Sequence, residues 1–186
     1  MEDILLFFAE GTEEIEALTV VDVLRRAGLP VRIVSVTAEK VVAGAHGIRV
    51  VADSCVNEVD FGQAALVVLP GGLPGAYNLA ASQELASGIR TLYEAGKPLA
   101  AICAAPLVYG RMGLLDGCRA TCYPGFEEEL AGATCTGALV QEDGPFITGK
   151  GPAAAIEFAL AIVTRLAGVD VAAQVKSGML YQELDR

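Results

Sequence analysis

Short apolar runs alternate with helical stripes along this chain. Ile4–Phe8, Val31–Val36, Ala64–Leu69 and Leu99–Ile102 are dominated by Leu, Ile, Val, Phe and Ala with few polar interruptions. A strand that is apolar on both faces belongs inside a parallel sheet covered by helices on both sides. Helical periodicity is read over Glu13–Ala27 and Gln83–Ala95, and Ala153–Leu166 closes the body. The order predicts an α/β domain with a doubly wound, mostly parallel sheet. Two stretches break the alternation: Lys40–Ala52 around Ala45-His46-Gly47, and Ala138–Thr148 around Glu142-Asp143-Gly144-Pro145. Both read as hairpins. With no repeat, low-complexity tract or linker, one domain is expected over residues 1–186.

Composition narrows the function classes. The 186 residues are 53% apolar, ample for a core with two faces, and only 19% charged. A net charge of −10 with pI near 4.5 argues against partners that need a basic footprint, so neither nucleic acid nor an anionic membrane is expected. Met1-Glu2-Asp3 carries no basic leader and no apolar run reaches the length of a membrane span, so a cytoplasmic protein is expected. The five cysteines (55, 103, 118, 122 and 135) are irregularly spaced, which fits reduced thiols. Cys118, Cys122 and Cys135 lack a Cys-x-x-Cys spacing and His46 is the only histidine, so no metal site is expected.

Ligands of open parallel sheets bind beyond the carboxyl ends of the strands, and three such loops carry unusual residues. Ala101-Ile102-Cys103-Ala104-Ala105, followed by Pro106-Leu107-Val108, reads as strand, sharp turn and helix with a thiol at the bend. Small residues two before and two after meet the demands of a tight elbow. A helix N-terminus favours thiolate, which makes Cys103 the candidate nucleophile. In the loop after the first strand, Thr12 is expected to cap the helix, with Glu13 and Glu14 in its first turn. Glu16 heads the apolar stripe Val20, Val23, Leu24, Ala27, so its carboxylate should be partly buried, with a raised pKa, and able to donate to a nearby anion. Pro70-Gly71-Gly72 exposes backbone N–H groups that can form an oxyanion site with Ala104. Asp22 is expected to pair with Arg25 or Arg26, and Glu127-Glu128-Glu129 reads as a solvated helix face.

Together these segments resemble the ThiJ/PfpI superfamily, in the branch of the Parkinson-disease protein and its bacterial relatives. The resemblance rests on Gly11–Glu16, Val21–Gly28, Val67–Gly72 and Ala100–Pro106, followed by Gly151-Pro152, Glu157–Val163 and Val171–Val175. It implies a flavodoxin-like fold and a homodimer with the cysteine pocket near the interface. Cys103 would be the reactive cysteine, Glu16 the buried acid beside it, and Gly71, Gly72 and Ala104 the backbone donors. Many members carry a histidine in the segment matching Ala120–Pro124, where this chain has Tyr123, a candidate proton shuttle. His46 lies in another segment, so no Cys–His pair, and hence no peptidase triad, is expected. The resemblance implies cysteine-dependent, glyoxalase III- or deglycase-type chemistry on α-oxoaldehydes such as methylglyoxal, without a cofactor. The alternative is a redox-sensing or chaperone-type stress protein with little turnover.

Overall fold

The computed structural model describes residues 2–181; Met1 and residues 182–186 of the expected domain lie outside the described residues. The elements run β1 (Asp3–Phe8), α1 (Glu14–Arg26), β2 (Val31–Ser35), β3 (Val41–Ala43), β4 (Arg49–Val51), β5 (Ser54–Cys55), β6 (Ala64–Leu69), α2 (Gly75–Ala81), α3 (Gln83–Glu94), β7 (Leu99–Ile102), α4 (Pro106–Arg111), β8 (Arg119–Ala120), β9 (Thr134–Cys135), β10 (Val140–Asp143), β11 (Phe146–Gly149), α5 (Ala155–Ala167) and α6 (Val169–Gly178). Seven strands form the central sheet in the order β10-β11-β7-β6-β1-β2-β5. Its pairings are parallel except for the β10–β11 hairpin at one edge.

The double-sided apolar strands explain the layers. Along β1, Ile4, Leu6 and Phe8 join a core with Val20, Leu24, Phe158 and Ile162 of α1 and α5. Leu5 and Phe7 point the other way, among Leu79, Leu85, Ile89 and Leu107 of α2, α3 and α4. Each large side chain so buried contributes roughly 1.5–3 kcal/mol, so neither face can be stripped of its helices. α1 ends where Gly28 turns left-handed (φ 73°) and the Gly28 and Leu29 amides close on Arg25 and Leu24 carbonyls. Asp22 pairs with Arg26 at 2.6 Å, as expected from the sequence.

Both expected hairpins form, β3–β4 and β10–β11. Two helices escape the periodicity. In α2, Gly75, Ala76 and Leu79 are buried, too few apolar positions for a stripe to register; in α6 only Ala172 and Val175 are buried. Glu127–Glu129 form a single 3-10 turn. Among the described residues no helix is long and apolar enough to cross a membrane.

Candidate active site

Cys103 stands at the elbow between β7 and α4. Its backbone is left-handed (φ 65°), a conformation that costs a non-glycine residue about 1–3 kcal/mol and persists only when its surroundings enforce it. They do so through two bonds of 2.9 Å: the Cys103 amide donates to the Gly149 carbonyl at the end of β11, and the Tyr123 amide donates to the Cys103 carbonyl. Ala101 and Ala105 are fully buried, as the small-residue pattern requires. Cys103 as a residue is 8% exposed.

Glu16 reaches this elbow from the first turn of α1 and is fully buried. Glu13, rather than Thr12, caps that helix: its Oε2 accepts from the Glu16 amide at 2.8 Å. Thr12 faces back instead, its Oγ1 accepting from the Ala9 amide at 2.9 Å and closing the β1–α1 loop. The orientation of Glu16 is set by Gly71, whose amide donates to Oε2 at 2.7 Å. Oε1 is buried without a hydrogen-bond partner among the described residues. Burial pushes Glu16 up to about 7, although the Cys103 thiol and the Gly71 amide pull the other way. An acid with this pKa exchanges its proton near neutrality.

Burial also pushes the Cys103 thiol up, to about 12, reinforced by the Glu16 charge and hydrogen bond and opposed by the Gly72 and Ala104 amides. The expected acidified thiol is therefore not what an ionised Glu16 produces. Both contributions from Glu16 exist only while it is a carboxylate. Once protonated it becomes a donor, and with the two amides it then favours thiolate. The two groups titrate as a coupled pair.

Of the three backbone donors expected beside the sulfur, Gly72 and Ala104 face it, whereas the Gly71 amide is turned to Glu16. Gly71 must also be bare. A methyl there would lie 2.7 Å from Cys103 Cβ and 2.9 Å from both the Ala104 nitrogen and Glu16 Oε2, which locates all three groups around one point. Tyr123 is half-exposed, with its ring against Gly151 at the rim of an apolar cleft of about 190 Å³ that Pro124, Leu139 and Pro152 also line.

A second carboxylate, which the sequence marks only as a first-turn residue of α1, lies two residues from the first. Glu14 is buried, and its Oε1 accepts from the His46 amide at 2.8 Å and the Ile48 amide at 3.4 Å; its Oε2 lies 2.8 Å from His46 Nδ1. Burial opposes its charge, but the His46 side chain and these amides hold the carboxyl below its ordinary range. His46 is raised by its hydrogen bond to Glu14 and by that charge. This partnership, between α1 and the turn of the β3–β4 hairpin, occupies the sole histidine. Ligand atoms of Glu13, Glu14 and His46 lie within 4.8 Å of one another, the arrangement among the described residues that could hold a cation. Cys118, Cys122 and Cys135 do not form such a group.

Residues 2–165 match the DJ-1/PfpI family. The chain belongs to that family. It is 41% identical over 183 residues to protein DJ-1 homolog A of Arabidopsis thaliana, covering 96% of this chain and 46% of the relative. It thus spans less than half the length of the plant relatives it matches. A Caenorhabditis elegans protein named glutathione-independent glyoxalase DJR-1.2 is 34% identical over 167 residues, covering 89% of this chain and 88% of the relative. Among solved structures, oxidised DJ-1 of Toxoplasma gondii superposes with a TM-score of 0.93 at 34% identity, covering 97% and 98% of the two chains. The flavodoxin-like fold of DJ-1/PfpI proteins is the fold of this chain.

Proposed function

We propose that this DJ-1/PfpI protein is a cysteine-dependent enzyme of the glyoxalase III or deglycase type, acting on α-oxoaldehydes such as methylglyoxal. The observation that carries this reading is a buried acid with pKa about 7 beside the elbow cysteine. A sulfur nucleophile next to a proton carrier is what an internal redox rearrangement of an oxoaldehyde needs. The glyoxalase name of the nematode relative points the same way.

In this mechanism Cys103 gives its proton to the substrate oxygen and its sulfur adds to the aldehyde carbon, forming a hemithioacetal. The Gly72 and Ala104 amides, which face the sulfur, are placed to bind charge that develops beside it. Glu16, as carboxylate, takes the proton from the hemithioacetal carbon, and as carboxylic acid returns it to the neighbouring carbon. In the enediol between these two transfers the hydroxyl proton passes from the former aldehyde oxygen to the former ketone oxygen, so the ketone becomes an alcohol and the aldehyde a thioester. Water cleaves the thioester, releases lactate and restores the thiol. Electrons balance within the substrate, and no cofactor is required. Tyr123 at the rim is our candidate for relaying protons to solvent.

We place this chemistry in a homodimer in the cytoplasm. Ile15 (57% exposed) and Leu18 (38% exposed) lie on α1 beside the site, apolar positions a partner chain would cover. On the same helix Arg25 and Arg26 pair within the chain, with Asp53 and Asp22. Light scattering should give twice the 19.2 kDa chain mass. Lactate formation from methylglyoxal without glutathione, lost in Cys103→Ser, tests the activity. If lactate is absent while peroxide converts Cys103 to a stable sulfinate, the site is a redox sensor.

A further inference from the structure

Away from Cys103, two more cysteines have been brought together. β8 and β9 pair in parallel with Ala120 opposite Cys135, and the Thr136 amide donates to the Ala120 carbonyl at 2.9 Å. Two residues beyond the end of β8, Cys122 comes within hydrogen-bond reach of Cys135. Both cysteines line one cleft of about 240 Å³, together with Pro124, Glu127 and Lys150. Cys135 is exposed, whereas Cys122 is 5% exposed beneath it.

The two strand ends are fixed independently of the sulfurs. Thr121 is held by bonds between its amide and Thr148 Oγ1 at 2.9 Å and between its hydroxyl and the Ala138 carbonyl at 2.8 Å. The Tyr123 amide is held by the Cys103 carbonyl. After burial, Cys135 is the largest influence raising the Cys122 thiol, ahead of the Glu127 charge, and the Cys122 thiol donates a hydrogen bond to it. Cys118 does not line this cleft, and its thiol is raised by burial and by the Asp143 and Asp116 charges instead.

We propose that Cys122 and Cys135 are a dithiol that a hydroperoxide oxidises to a disulfide, a redox site separate from Cys103. Cys135, the exposed member, attacks the peroxide. An S–O bond forms, the O–O bond breaks, and the leaving oxygen takes the thiol proton, giving a sulfenic acid and water or an alcohol. Cys122 then attacks that sulfur. The S–S bond forms, hydroxide leaves with the Cys122 proton as water, and two thiols have lost two electrons to one peroxide. The bridge fastens the segment that ends on the Cys103 carbonyl, so its closure is felt at the elbow.

The test treats the full chain with hydrogen peroxide, blocks free thiols with iodoacetamide and maps the peptides. Residues 120–149 contain no Lys or Arg, so digestion must cut at Glu127–Glu129 to separate the two cysteines. The expected result is that the flanking fragments stay joined until reductant is added and that Cys122 loses its labelling. The link should persist in Cys103→Ser and vanish in Cys135→Ser, a substitution at an exposed position. The proposal is overturned if Cys122 remains fully labelled, if Cys135 links to Cys118, or if oxidation ends at a Cys135 sulfinate.

Discussion

Glu14 and Glu16 occupy the same turn of α1, and both are buried, yet their chemistry diverges. Glu14 meets the amides of His46 and Ile48 and the imidazole of His46, and stays ionised below the usual carboxylate range. Glu16 meets one amide, from Gly71, and a thiol, and is pushed up to about 7. Both are shut off from solvent contact, but Glu16 lies far deeper, so it carries the heavier burial penalty and has the poorer supply of donors to offset it. One carboxylate fastens a hairpin to a helix. The other is left under-satisfied beside a nucleophile, where a movable proton is useful.

The largest effect should come from the nucleophile. Cys103→Ser is expected to abolish lactate formation from methylglyoxal while preserving the circular dichroism spectrum. Next, Glu16→Gln keeps the shape and a donor but removes the proton carrier, and turnover should fall by about 10²–10⁴-fold. The same change should stabilise the fold. Glu16 binds its proton more tightly folded than unfolded, so wild-type stability falls as pH rises from 4.5 to about 7 and is flat above. Glu16→Gln escapes this loss, gaining up to about 3 kcal/mol at pH 8 and nothing below pH 4.5, measurable by denaturant titration.

Gly71→Ala asks whether the site depends on close approach. Its methyl would meet the Cys103 Cβ at 2.7 Å, so a loss of about 1–3 kcal/mol in stability, with impaired turnover, is expected. Glu14→Gln should lose about 1–3 kcal/mol at neutral pH because it strips a charged acceptor from three donors. Its pH dependence has the opposite sign to that of Glu16. Glu14 contributes stability above pH 4.5, and that contribution disappears as pH falls through its lowered folded value. The smallest effect belongs to His46→Asn, since the ring is solvent-exposed; fluorescence melts on acidification should differ only slightly from wild type.

What was legible in the sequence follows the range of the interactions. β1, β6 and β7 were readable because both-sided burial writes itself into consecutive residues, and Cys103 because an elbow needs small neighbours at fixed offsets. Glu16 was readable as a carboxylate on an apolar stripe. The true task of Gly71 was not, because it depends on which way Glu16 turns, across 55 positions in sequence. The Glu14–His46 contact joins a helix to a hairpin tip, and Cys122 meets Cys135 through two-residue strands; neither leaves a periodic mark. Residue type alone points to Thr12 as the cap, whereas the geometry of the loop gives that role to Glu13.

The most direct test is a carbon-13 NMR titration of the glutamate side-chain carboxyls, with Glu14→Gln and Glu16→Gln supplying the assignments. Glu16 should titrate near 7 and Glu14 below 4.5 in the same protein. Substituting Cys103 by Ser should move the Glu16 transition and leave that of Glu14 in place. A Glu16 carboxyl titrating at its ordinary value near 4.5, unchanged by Cys103→Ser, would contradict its role as the proton carrier beside the thiol.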